Sequence, residues 1–125
     1  LSASSAFTWE RVGSSAATGL AQFGLSWSSN SSTSAIVALD AATKMVELSA
    51  ADWTSIPTQE GLASAISGAS AVTEYTGVSS SASNTYDDVL RVSHNGMSYI
   101  LNITNGNVTT GTNGTTIIIT GEYKN

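Results

Sequence analysis

The sequence predicts an all-β domain: an antiparallel β-sandwich or jelly-roll-like fold with a C-terminal meander and one short helix. Three observations predict it. Apolar residues alternate with polar ones in short runs, Asn-Gly pairs punctuate the last third, and a single stretch changes to helical spacing. The 125 residues fit one β-rich domain, 1–125, long enough to bury a core without metals or crosslinks. A closed barrel is the main alternative, because strand order across the two halves is not visible in a pattern.

The elements follow in order. Phe7 and Trp9 alternate in a first strand, a loop spans 13–19, and Ala21, Phe23, Leu25 and Trp27 alternate in a second. The stretch 28–34 is Ser/Asn/Thr without apolar periodicity and reads as a loop. A hairpin is expected next, with 35–40 and 45–48 closing over 41–44 and placing Val37, Leu39, Val46 and Leu48 on one side. From 55 to 67 the spacing becomes helical. Pro57 can occupy the first helical position, Glu60 the first turn, Leu62 and Ile66 are four apart, and Gly68 can end the helix. Its thin apolar face suggests a helix that caps the ends of the sheets. A strand at 71–78 then leads to a Ser-rich loop at 79–84.

Residues 87–123 are the most readable. Asn95-Gly96, Asn105-Gly106 and Asn113-Gly114 each suit a two-residue type I′ turn, since both residues tolerate positive φ. The first turn pairs His94 with Met97, Val92 with Tyr99 and Leu90 with Leu101, giving one apolar face. The second pairs Ile103 with Val108, and the third pairs Val108 with Ile119. The reading is a four-stranded meander with a short third strand at 107–112, weakened by Gly111.

Composition narrows the function classes. Hydrophobic residues make up 41%, whereas charged residues make up 10%, against about 25% in typical soluble proteins. Ser and Thr, roughly thirty per cent of the chain, supply the polar surface. Such hydroxyl-rich composition accompanies secreted β proteins, fibres and virus particles. Four basic against nine acidic residues give a net charge of −5, and Arg11, Lys44, Arg91 and Lys124 are dispersed, which argues against nucleic acid and anionic membranes as partners. With no Cys there is no disulfide framework, thiolate nucleophile or Cys-based zinc site. No apolar run approaches the length of a membrane span.

Catalytic constellations are poorly supplied. His94 is the only imidazole, it abuts a turn, and no Gly-x-Ser-x-Gly elbow offers a nucleophile. The expectation is no enzyme. Asp87-Asp88 is the only adjacent acidic pair, and neighbours on a strand point to opposite faces, which is wrong for a shared substrate. Asn84, Asp87 and Asp88 could instead lend oxygens to a Ca²⁺ ion, although a solvated loop opening a strand explains them as well. Trp53, beside Asp52 and outside the strand pattern, is the candidate aromatic contact for a ligand such as a sugar; packing is the competing account. Asn-x-Ser/Thr sequons occur at Asn30, Asn102, Asn107 and Asn113, with Asn102 inside a strand. The outer face of the meander carries Val89, Ile100 and Ile118, and strands apolar on both sides lie against something, which makes these the candidate subunit interface.

The stretch from Asp88 to Lys124, with its Asn-Gly-linked strands and the ending Gly114-Thr115-Thr116-Ile117-Ile118-Ile119-Thr120-Gly121-Glu122-Tyr123, resembles the end of a bacteriophage tail-fibre or virion-surface (head-fibre or decoration) domain. The resemblance covers about a third of the chain and transfers no residue positions. It implies a virion-surface or extracellular module that forms a homo-oligomer, with a trimer favoured, and presents loops to a cell-surface glycan. Two other classes fit the composition: a monomeric carbohydrate-binding module of a secreted protein, and a pilus, capsid or other filament subunit.

Overall fold

A computed structural model describes residues 1–12, 20–29, 34–38, 41–48, 52–75, 83–111 and 114–125. These form strands β1 (Ser5–Val12), β2 (Leu25–Ser29), β3 (Ser34–Ala38), β4 (Thr43–Leu48), β5 (Glu74–Tyr75), β6 (Ser83–His94), β7 (Met97–Gly111) and β8 (Gly114–Lys124). A 3₁₀ turn (Ala21–Phe23) precedes β2, and helices α1 (Asp52–Ser55) and α2 (Gln59–Ser67) lie between β4 and β5. The fold is all-β.

The strands make two antiparallel sheets, one of five in the order β1-β8-β7-β6-β4 and one of three in the order β2-β3-β5. Trp9 and Ile119 from the large sheet meet Leu25 and Ile36 from the small one in a single buried core. Among the described residues no strand pairing joins the sheets, so the architecture is sandwich-like and not the closed barrel. The 3₁₀ turn delivers Phe23 to the centre. Its ring meets Phe7, Tyr99 and Tyr123 edge to face, at centroid distances of 5.5, 5.2 and 4.9 Å.

The Asn95-Gly96 turn forms as the sequence predicts. Both residues have positive φ, 49° and 80°, and His94↔Met97, Val92↔Tyr99 and Leu90↔Leu101 are in register. The second Asn-Gly pair does not turn. β7 runs straight through Asn105-Gly106 between β6 and β8, and the meander has three long strands instead of four. Register shifts between Thr85 and Asp88 and between Ile103 and Asn105 accommodate this passage. The last reversal pairs Gly111 with Gly114, so Val108 faces Ile117 and not Ile119. A two-residue change of pairing preserves the alternation of the register.

The first half departs further. The expected hairpin of 35–40 with 45–48 is absent, because β3 and β4 belong to different sheets. Met45 enters the main core while Val46 faces the other side. The segment expected as a strand from Ala21 becomes the 3₁₀ turn, broken from β2 by Gly24 at φ +72°. Residues 76–78 of the expected strand at 71–78 lie outside the described residues, and of the rest only Glu74–Tyr75 pair.

Helix α2 begins at Gln59, after an N-cap at Thr58 whose Oγ1 accepts from the Gly61 N–H at 3.0 Å, so Pro57 precedes the cap. Leu62 and Ile66 are buried, as their spacing predicts, but against the outer face of the large sheet and not its end. There they pack with Val46, Val89 and Ile100 in a second core, and burying each such side chain contributes about 1.5–3 kcal/mol. Val89 and Ile100, expected to meet another subunit, are therefore covered by the chain's own helix.

Candidate functional site

A polar cluster lies where the β6–β7 turn meets the start of β2. His94 ends β6 and stands opposite Thr43, which opens β4. Its Nδ1 is 2.9 Å from Thr43 Oγ1, and Asn95 Nδ2 donates to Nε2 at 3.2 Å. Accepting at Nε2 leaves the ring proton on Nδ1, which donates to the hydroxyl. Gly24 closes the cluster: a Cβ there would collide with Thr43 Oγ1 and the imidazole, and the backbone is in the left-handed region. Both ring nitrogens are thus engaged within the fold.

Trp53 does not stand free. It is half-buried against the second core, Lys124 Nζ lies 4.2 Å from its ring centroid, and the same ammonium donates to the Trp53 carbonyl at 3.1 Å. The expected aromatic platform is therefore packed by its own chain. Its neighbour Asp52 opens α1, but the Asp52 side chain lies outside the described residues. Among the described aromatic side chains none is exposed: Phe7, Trp9, Phe23 and Tyr75 are buried, while Trp53, Tyr99 and Tyr123 are half-buried.

The side chains of Asn84, Asp87 and Asp88 also lie outside the described residues. Their backbone belongs to β6, with Asp87 in the irregular stretch where the pairing with β7 shifts, so strand and not loop holds Asn84. Among the described residues there is no group of three His, Asp or Glu that could hold a metal ion, and no helix is long and apolar enough to cross a membrane.

The outer face of the large sheet is divided. Helices α1 and α2 cover the β4–β6–β7 half and, where Trp53 meets Lys124, the end of β8, whereas neither described apolar cluster includes Ile118 or its neighbours on the outer face of β8 and β1. Two cross-strand rows define the open half: Glu10, Ile118 and Asn107, then Thr8, Thr120 and Asn105. Glu10, Thr8, Asn107 and Asn105 are exposed, and Ile118 is half-buried at the centre. β1 forms the border, an eight-residue edge strand with no described strand on its other side. Ile118 is the one expected interface residue that lies on this open surface.

Sequence reasoning missed Gln59. Its amide donates to the Ser98 carbonyl at 2.6 Å and accepts from the Ser98 N–H at 3.3 Å. The β7–β8 pairing reaches only Ile100↔Lys124 at this end, so the side-chain amide continues the ladder where β8 stops. A Gln at the first helical position carries no signal that it will serve a strand far away in sequence.

The chain matches no protein-family model, no curated protein and no solved structure.

Proposed function

We propose that this domain is a non-catalytic virion-surface or tail-fibre module that assembles as an oligomer and contacts a host cell surface. The open half of the large sheet carries the reading: a field of Thr, Asn and Glu around a central Ile118, bordered by an edge strand with an unpaired side among the described residues. Edge strands and unshared sheet faces are the usual templates for association. The engagement of His94 by Thr43 and Asn95 favours a structural role for the only imidazole. The packing of Trp53 against Lys124 counts against the rival carbohydrate-binding module, which needs an exposed aromatic platform. A filament subunit shares the assembly surface and differs in what the remaining surface contacts.

Solution mass, measured by light scattering on the eluting chain, tests the proposal. A stable trimer or other closed oligomer is the expected result; open-ended growth selects the filament reading, and a monomer at all concentrations overturns assembly.

A further inference from the structure

We propose that Asn95 is a site of spontaneous deamidation, and that the fold selects it over the chemically identical Asn105. Both asparagines precede glycine, the neighbour that least hinders attack by the following backbone nitrogen. In this reaction the Gly96 nitrogen bonds to Asn95 Cγ, closing a five-membered succinimide. The Cγ–Nδ2 bond breaks, and the amide nitrogen leaves as ammonia, carrying the proton lost from the Gly96 N–H. Water then opens the ring at either carbonyl, giving aspartate or isoaspartate. No oxidant, reductant or other partner is required.

The two sites differ in whether the nucleophile is free to react. In the type I′ turn the closing bond joins His94 to Met97, so the Gly96 N–H takes no part in it. Asn95 and Gly96 are both exposed, and apart from its two chain neighbours no described residue lies within 4 Å of where a Gly96 Cβ would be. Gly106, by contrast, is buried in a central strand, opposite Asn84 on one side and Ile119 on the other. Whichever neighbour receives its N–H, the ladder must open before Gly106 can attack.

The product would change the His94 cluster. Asn95 Nδ2 is the donor to His94 Nε2. A carboxylate oxygen cannot donate, so the imidazole must move or present a proton at Nε2. Isoaspartate would also lengthen the turn backbone by one atom at the His94–Met97 closure.

The experiment incubates the purified chain at mildly alkaline pH, folded and in concentrated urea, and maps aspartate and isoaspartate by mass spectrometry of its peptides. In the folded chain Asn95 should convert at least about tenfold faster than Asn105, while in urea the two rates converge, because only folding protects Asn105. The His94 ring-proton resonance, unique in this chain, should be replaced by a second signal as the Asn95 product accumulates. Folded-state rates that are equal at the two sites, or an Asn95 that stays intact while the unfolded chain converts, would overturn the proposal.

Discussion

The imidazole of His94 lies against the Cα of Gly24, so that the end of β6 is seated on the turn that enters β2. Two constraints coincide at Gly24, a positive φ and a space already filled by His94 and Thr43. Gly24→Ala should therefore lose about 2–4 kcal/mol, combining backbone strain with overpacking. His94→Ala in the same chain should restore part of that loss by removing the imidazole, leaving the φ strain and the Thr43 hydroxyl. A double-mutant cycle by urea denaturation measures the coupling, and strict additivity would show that the contact carries no energy.

Phe23 joins the small sheet's entry turn to rings from β1, β7 and β8. Phe23→Ala should cost about 3–5 kcal/mol, seen as a lower urea midpoint. A loss below about 1 kcal/mol would mean that the three edge-to-face contacts do not organise the core.

Gln59 closes the β7 ladder at Ser98 through two hydrogen bonds. Gln59→Ala should cost about 1–3 kcal/mol and speed amide exchange at Ser98 more than at Ile100, whose strand partner remains. Equal acceleration at both amides would indicate a general loss of stability instead.

Among the described residues, Asn102 Oδ1 is buried without a hydrogen-bond partner. Asn102→Val should therefore leave stability unchanged or raise it by up to about 1 kcal/mol, since Val suits a strand and removes an unsatisfied acceptor. Thermal denaturation checks this, and a marked loss would show that the amide group has a structural role.

The residues that were legible in the sequence share one property: their partners are close along the chain. Leu90, Val92, Tyr99 and Leu101 fall into register because Asn95-Gly96 fixes the turn between them. Leu62 and Ile66 announce a helical face at four-residue spacing. What was not legible depends on distant chain. Asn105-Gly106 carries the same turn chemistry as Asn95-Gly96, yet long pairings with β6 and β8 hold it extended. Similarly, β3 and β4 look like hairpin partners until β4 pairs with β6 and β3 with β5. Val89 and Ile100 revealed that something covers them, but their pattern could not distinguish a neighbouring subunit from a helix of the same chain.

That distinction separates the two halves of the outer face and gives the proposed assembly surface its sharpest test. Sedimentation equilibrium over a range of concentrations, on the wild type and on Ile118→Asp, reads it directly, with thermal denaturation run alongside. The prediction is an oligomeric wild type and an Ile118→Asp variant that becomes monomeric with little change in melting temperature, because Ile118 lies outside the helix-covered core. A wild type that stays monomeric throughout, or an Ile118→Asp variant that assembles as the wild type does, would contradict the assignment of the open half of the sheet as the contact surface.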